Sequence, residues 1–254
     1  MTALSAYILT FDSELYLSAI LQKLAGTADE LLIVDSGSTD GTLAIAREHA
    51  CRIVHRPLTD FREQRNFAQA QCANDRVLFL DSDELPSDEL VRAIAALKEQ
   101  GFGEDAYEVR REWYVFGRKV HAVFPVTSPD YPIRILDRRK VSFDERSRRV
   151  HETPFGFSSV GRIEAALHHH TFRSKEELER KLEHYTDIAA GELRERGGTA
   201  GPLKMLASPI SAFLKWYLVK GGWRDGTLGL TMSAYAFRYT RLKYRKARLA
   251  RDAK

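Results

Sequence analysis

The sequence predicts an α/β fold in which a mostly parallel sheet carries helices on both faces and is followed by a helical appendage. Three observations predict it: apolar runs that alternate with helical patterns over the first hundred residues, a change of pattern after residue 105, and helical periodicity from residue 174 onward. The 254 residues, 44% of them hydrophobic and 29% charged, suffice for one large α/β domain with an appendage.

Four short apolar runs are the predicted strands of the parallel sheet. They are apolar at successive positions, which is typical of strands buried on both faces. The runs lie at 6–10, 30–35, 51–55 and 76–81, and helical patterns lie at about 13–25, 40–50, 62–73 and 87–100. The last helix has a clear start, because Ser87 is a suitable cap and Asp88 and Glu89 occupy its positive first turn. Gly101 is a suitable stop.

Beyond residue 105 the pattern changes twice. Short strand-like pieces broken by Gly and Pro extend to about residue 165 and predict a smaller, mixed or antiparallel region. Helical segments then follow from about residue 174, at about 203–220 and at about 227–249. We therefore expect one α/β domain over 1–170 and a helical appendage over 171–254.

The charge is distributed unevenly along the chain. Residues 201–254 contain 12 Lys/Arg and 2 Asp/Glu, whereas residues 1–200 carry a net charge of −6. A basic tail of this kind suits a phosphate-rich partner, either an anionic membrane or a nucleic acid, although it can also be a solvated helix face.

Several classes of protein are not expected. Cys51 and Cys72 are too few for a disulfide framework or a thiolate zinc site. The first residues, MTALSAYILTFDSE, lack the basic region and cleavage site of a signal peptide. No stretch reaches the roughly 18 uninterrupted apolar residues that a spanning helix needs.

Acidic side chains follow two of the predicted strands. Asp35 comes after LLIV, and three acids occupy the four positions 81–84 after VLFL. Parallel sheets bind ligands beyond the carboxyl ends of their strands, so we expect these carboxylates to converge if their strands are parallel neighbours. Turn formation and helix capping are the alternative roles. Crowded carboxylates repel one another, and a divalent cation is a simple remedy; oxygen ligands without thiolates favour Mg²⁺ or Mn²⁺.

These segments resemble the family 2 glycosyltransferases of the GT-A fold. The resemblance rests on VDSGSTDGT at 34–42, QRN at 64–66 and FLDSDE at 79–84, and more weakly on RILDRR at 134–139 and VHE at 150–152. DSD corresponds to the DxD motif of that family. With FLKWYLVKGGWRDG at 213–226, the whole chain is similar to the bacterial branch that builds lipopolysaccharide core, as in the WaaE-type glucosyltransferases.

The resemblance implies a set of residues that bind the nucleotide sugar. Carboxylates, hydroxyls and a turn glycine would hold the nucleoside, and a planar guanidinium would reach the ribose or diphosphate. The implied residues are Thr10, Glu14, Asp35, Ser36, Gly37, Gln64, Arg65 and Asp81, the last of them facing the ribose. The sequence has FDSE where the family has NEE, so Glu14 departs from the pattern.

The resemblance also implies a metal site and a general base. Asp83 would ligate the metal, and a histidine late in the domain, His170 or alternatively His168, would complete the site. Glu152 would deprotonate the acceptor hydroxyl in an inverting transfer. The alternative role of Glu152 is a structural ion pair.

The implied function is transfer of a sugar from a nucleotide-sugar donor to a lipid-linked or lipopolysaccharide-core saccharide. We expect a cytoplasmic protein, peripheral to the inner face of the cell membrane, whose aromatic and basic helices at 203–220 and 227–249 either contact anionic lipid or pack on the protein. Three rivals are a sugar nucleotidyltransferase, a nucleic-acid-binding module and an inactive scaffold. FDSELY lacks the Gly-rich loop of the first, no nucleic-acid motif supports the second, and the intact DSD argues against the third.

Overall fold

The computed structural model describes residues 1–144, 153–195 and 201–252. The chain divides into two compact units. The first comprises Met1–Arg111 and Tyr131–His169, and the second comprises Glu112–Asp130 and His170–Lys254. The sequence-based division at residue 170, which places 112–130 in the α/β domain, stays a prediction; by contacts, this segment groups with the C-terminal helices.

Eleven strands lie in the described residues. They are β1 (Leu4–Thr10), β2 (Glu30–Asp35), β3 (Arg52–His55), β4 (Arg76–Asp81), β5 (Glu84–Pro86), β6 (Ala106–Val115), β7 (Arg118–Lys119), β8 (Ala122–Val123), β9 (Val126–Thr127), β10 (Ile133–Asp137) and β11 (Val160–Phe172). Nine of them form one sheet in the order β3-β2-β1-β4-β10-β6-β11-β5, with β7 paired to β6, and β8 pairs with β9.

The described residues also contain seven α-helices and two shorter helical turns. The helices are α1 (Glu14–Leu24), α2 (Thr42–Glu48), α3 (Phe61–Gln71), α4 (Asp88–Gln100), α5 (Lys175–Glu195), α6 (Pro202–Leu214) and α7 (Thr227–Asp252). A π-helical turn at Lys215–Val219 continues α6, and a 3-10 turn follows at Gly222–Asp225. The described residues include no helix that is both long and apolar enough to cross a membrane.

The first four strands are parallel, as predicted. Thr10 of β1 lies opposite Asp35 of β2, and Leu9 lies opposite Asp81 of β4. β1 therefore lies between the two strands that end in acids, and these strands are not direct neighbours. Their carboxyl ends still share one edge of the sheet.

The helices of the first unit cover both faces of the parallel strands. Side chains of β1 alternate between the faces, because successive residues of a strand point in opposite directions. Ile8 packs in one cluster with Leu17 and Ile20 of α1, while Tyr7 packs in another with Ala68 of α3. The α/β fold class is thus confirmed, with the parallel strands extended by antiparallel strands on the β4 side.

The predicted ends of α4 are confirmed. The Ser87 hydroxyl accepts a hydrogen bond from the Leu90 amide (3.1 Å), and Gly101 has a φ of +79°. Such a φ favours glycine, which lacks the Cβ that strains other residues there.

The core of the second unit lies between its helices and the segment 112–130. Phe172, Leu182 of α5 and Met232 and Tyr235 of α7 pack together there with Val123. The apolar stripe of α7 is consequently used for packing within this unit.

Candidate active site

Asp35, at the end of β2, organises the turn that follows it. Its carboxylate accepts hydrogen bonds from the Thr10 hydroxyl (2.9 Å), the Gly37 amide (2.9 Å), the Ser38 amide (3.0 Å) and the Ser38 hydroxyl. Burial by itself raises the pKa of Asp35, but the donors of Ser38, Gly37 and Thr10 lower it below its usual value. Four donors fill the acceptor capacity of a carboxylate, so a nucleoside could bind Asp35 directly only by displacing one of them.

The loop after β1 holds the loop after β2. The Glu14 carboxylate accepts a hydrogen bond from the Gly41 amide (2.8 Å), and the Asp12 carboxylate accepts one from the Thr39 amide (2.7 Å). The exposed Glu14 thus has a structural contact at the position that the resemblance gave to the nucleoside.

Gln64 and Arg65 are both buried on the first turns of α3. The Gln64 amide group donates to the Arg56 carbonyl (3.0 Å) and the Ser36 hydroxyl (3.3 Å). Its Oε1 is buried and accepts no hydrogen bond within the part of the chain that the structure describes. Arg65 donates from Nη2 to Asp81 Oδ1 (2.7 Å).

Glu84 is the most buried acid of the DSDE segment. Arg134 donates to both of its oxygens, from Nε at 2.8 Å and from Nη2 at 2.6 Å, and Arg111 Nη1 donates to Oε1 at 2.8 Å. Arg134 also reaches Asp81 Oδ2 (3.1 Å). Burial raises the pKa of Glu84, but Arg134, His169 and Arg111 hold it well below its usual value.

Arginines also fix the charge of Asp81. Burial raises the pKa of Asp81, while Arg65 and Arg134 lower it below its usual value, with Glu84 opposing them. Both guanidinium carbons lie 5.1 Å from the centre of the Phe79 ring. The ring therefore supports the two cations that bracket this carboxylate.

Three guanidiniums thus accompany the three carboxylates of the DSDE segment. The ion pairs join Arg65 to Asp81, Arg134 to Asp81 and Glu84, and Arg111 to Glu84. These guanidiniums relieve the repulsion among the crowded carboxylates, which was the reason to expect a bound cation. Crowding of acids alone is therefore no argument for a metal here.

The structure places His169, rather than His170 or His168, beside the carboxylates. His169 pairs with Glu84 across strands β11 and β5, and its Nδ1 lies 3.5 Å from both Asp83 Oδ1 and Glu84 Oε1. Because side chains alternate along a strand, His170 points the other way, and its ring lies 4.9 Å from that of Tyr114. The ligand role of His170 stays a prediction, and His169 is the histidine whose Nδ1 lies beside Asp83 and Glu84.

The side chains fit a divalent cation in one arrangement. Ligand atoms of Asp81, Glu84 and His169 lie within 4.8 Å of one another. Glu84 is a poor ligand, because two arginines already bind its oxygens. Asp83 and His169 supply an oxygen and a nitrogen 3.5 Å apart, which is a separation that one ion can bridge.

Glu152, the predicted base, and its neighbour His151 lie outside the described residues. Sequence reasoning missed four other residues: Arg111, Arg134, His169 and Phe11. Arg134 lies inside RILDRR, so its motif was visible, but a pairing with Glu84 across 50 residues was not. Phe11, directly after Thr10, leaves 62% of its surface exposed, which is unusual for a large aromatic ring.

Comparison with known proteins identifies the α/β part of the chain. The profile described as Glycosyl transferase family 2 matches residues 5–122. The match spans the four parallel strands of the first unit. The acid clusters at 35 and 81–84 both lie in the matched range.

Two relatives named as glycosyltransferases are similar over nearly the whole chain. The lipopolysaccharide core biosynthesis glycosyltransferase LpsC of Rhizobium meliloti (strain 1021) is 29% identical over 249 residues, which cover 92% of this chain and 89% of LpsC. An uncharacterized glycosyltransferase of Rickettsia conorii is 26% identical over 249 residues, covering 94% and 88%.

Solved structures show the same fold. S. aureus TarS in complex with UDP-GlcNAc superposes with a TM-score of 0.52 at 18% identity, covering 100% of this chain and 93% of that chain. Glucosyl-3-phosphoglycerate synthase of Mycobacterium tuberculosis, in complex with phosphoglyceric acid, gives 0.51 at 18% identity, covering 79% and 82%. The fold is the GT-A fold of glycosyltransferases.

Proposed function

We propose that the protein transfers a sugar from a nucleoside diphosphate sugar to a hydroxyl group of a lipopolysaccharide-core or other lipid-linked saccharide, with inversion at the anomeric carbon. The observation that carries the proposal is the group of Asp81, Asp83 and His169 at the carboxyl edge of a family 2 domain. The name of LpsC, which is similar over nearly the whole chain, supports the acceptor class.

The nucleoside would bind between the loops after β1 and β2. Gln64 Oε1 is a buried acceptor without a donor among the described residues, and a base N–H or a ribose hydroxyl would supply one. The exposed ring of Phe11 offers a surface on which a base can stack. The turn that Asp35 holds would shape the nucleoside site, and it includes or contacts Thr10, Ser36 and Gly37. Glu14 would support the same site through its hydrogen bond from the Gly41 amide.

The diphosphate would be held by the side chains around Asp81. Asp83 and His169 would hold a Mg²⁺ or Mn²⁺ ion, which when bound neutralises charge on the departing nucleoside diphosphate. Arg65 and Arg134 fix Asp81 in place, so that this carboxylate is presented to the ribose in one ionised form. In the transfer, the bond between the anomeric carbon and the phosphate oxygen breaks, and a bond to the acceptor oxygen forms on the opposite face.

The proton of the acceptor hydroxyl must leave as that new bond forms. We assign its removal to the Glu152 carboxylate, on the strength of the resemblance of VHE to the family pattern. Glu152→Gln should retain nucleotide-sugar binding and lose transfer, and retained transfer would place the base elsewhere.

The experiment that tests the function is calorimetry with a panel of nucleotide sugars in Mg²⁺, in Mn²⁺ and in EDTA. We expect one donor to bind, and to bind only with a metal. Absence of binding of every donor under every condition would contradict the proposal. Asp83→Asn is the matched variant, because it removes one ligand charge without changing the size of the side chain.

A further inference from the structure

A row of exposed apolar side chains runs along α6 and the π-helical turn. We call Leu203, Leu206, Ile210, Leu214, Leu218 and Val219 the apolar ridge; all six are exposed, with Leu203 80% and Val219 78% accessible. The ridge spans 16 residue steps, or roughly 24 Å at 1.5 Å per residue. Scattered exposed leucines are ordinary, but a continuous row of this length indicates a binding surface.

The opposite side of the same helix is already used for packing. Trp216 is buried, and with Ala212 it packs against Ala122, Phe124 and Ala236 of the second unit. The Phe124 and Trp216 rings lie 5.5 Å apart in an edge-to-face arrangement. One face of the helix therefore packs within the second unit, and the apolar ridge lies on the exposed face.

The charged residues of the segment that carries the apolar ridge have one sign. The segment 201–224 contains Lys204, Lys215, Lys220 and Arg224 and no acidic residue, and all four cations are exposed. Trp223, whose ring has an apolar body and a polar N–H, is 54% exposed beside them. Apolar side chains flanked by cations and an amphipathic aromatic ring match the chemistry of an anionic lipid surface.

Helix α7, the more basic of the two helices predicted to contact lipid, is engaged elsewhere in the second unit. Arg238 forms a two-point ion pair with Glu179 of α5, and Lys246 pairs with Glu183 and Asp187. Two cations of α7 are thus paired with acids of α5, and the apolar stripe of α7 is packed in the core of the second unit.

We propose that the apolar ridge inserts into the headgroup region of an anionic bilayer, with Lys204, Lys215, Lys220 and Arg224 contacting lipid phosphates. Lipid is favoured over a second copy of the chain, because a self-complementary contact through this segment would bring cations against cations with no acid to offset them. The inference does not depend on the transferase activity, and binding to vesicles is measured without substrate.

The test is flotation of the full chain with vesicles of phosphatidylcholine alone or mixed with phosphatidylglycerol. Wild type should bind the mixed vesicles, and more weakly at high salt. Leu214→Glu with Leu218→Glu should lower the partition coefficient at least about tenfold, because each buries a charge in place of an apolar group. The matched control is Leu15→Glu with Leu58→Glu, since these leucines (58% and 43% exposed) resemble Leu218 and Leu214 (56% and 46%).

In the flotation experiment, two outcomes would overturn the proposal: unchanged binding of the Leu214/Leu218 variant, or equal loss in the control. A wild-type dimer in sedimentation velocity that the same variant dissociates, without any vesicle binding, would assign the ridge to self-association instead. A measurement on the wild-type chain does not depend on whether the variants fold. Brominated lipid should quench wild-type tryptophan fluorescence, and Trp223→Phe should lose most of that quenching; absence of quenching contradicts insertion.

Discussion

Glu84 illustrates how a buried charge can be kept in place by its neighbours. It is fully buried, and Arg134 and Arg111 supply the charges that keep it ionised. Removing one partner of such a pair leaves an uncompensated charge in a site from which water is excluded. Arg134 therefore acts in stability as well as in the geometry of Asp81.

We predict that Arg134→Met lowers the free energy of unfolding by about 3–5 kcal/mol, because it leaves Glu84 without its main partner. Urea denaturation measures the change. Arg92→Met is the control, since Arg92 pairs with Glu89 on an exposed helix surface and should change stability by less than about 1 kcal/mol. Equal effects of the two substitutions would contradict the role given to the buried network.

The two adjacent histidines give a sharp test of the metal site. We expect His169→Ala to weaken Mn²⁺ binding in the presence of UDP at least about tenfold, because it removes a nitrogen that lies 3.5 Å from Asp83 Oδ1. His170→Ala should bind Mn²⁺ like wild type. Calorimetry measures both, and the reverse order of effects would restore His170 as the ligand.

At the residue scale, the sequence supplied types and spacings but not partners. Asp81, Asp83 and Arg65 were recognised from DSD and QRN, and the structure brings Arg65 to Asp81. Strand register decides which of three consecutive histidines faces the carboxylates, and the sequence does not show that register. The two-residue period of a strand shows that alternate histidines share a face. It does not show which face is turned inward.

At the scale of elements, the start of α3 decides where Gln64 and Arg65 lie. The Asp60 carboxylate accepts hydrogen bonds from the Arg62 amide (2.8 Å) and the Glu63 amide (3.3 Å). These amides belong to the first turn of a helix, which has no partners for them within the helix. The cap therefore fixes the turn that places the two side chains.

Asp60→Ala should lower the free energy of unfolding by about 0.5–2 kcal/mol and raise KM for the nucleotide sugar, because the first turn of α3 loses its cap. Asp60→Asn, which preserves an acceptor oxygen, should have a much smaller effect on both. Thermal unfolding and initial-rate kinetics measure the changes. An unchanged KM in a destabilised Asp60→Ala variant would show that the cap does not affect donor binding.

Long, strongly patterned elements were predictable and short ones were not. The four parallel strands followed from apolar runs, since burial on both faces leaves a clear trace in sequence. β5, β7, β8 and β9 have two or three residues each, too few for a period to appear. β5 pairs with the distant strand β11, whereas β7 and β9 each pair with the strand directly before them in the chain.

At the scale of the molecule, the second unit is assembled from two separate parts of the chain. Residues 112–130 supply Val115, Val120 and Val123 to a core that also contains Met232 and Tyr235. A contact between segments a hundred residues apart leaves no local trace, so the pattern of residues 112–130 does not show that they group with the C-terminal helices.

A chain ending at residue 226 should therefore lose the fold of the second unit, because it lacks α7 and with it Met232 and Tyr235. We expect binding of the dye ANS and a lost unfolding transition, measured by fluorescence and calorimetry. A truncated chain that unfolds as cooperatively as wild type would show that α7 is dispensable. Truncation is for this reason a poor test of lipid binding, and point substitutions are preferred.

The balance of three carboxylates and three guanidiniums has a thermodynamic consequence for the order in which ligands enter. A site that is already neutral gains little from a divalent cation alone or from a diphosphate alone, since each would arrive as an unmatched charge. Entering together, the two cancel. Cation and nucleotide should thus raise each other's affinity by the same factor. The site would then be filled to a large extent only when both ligands are present.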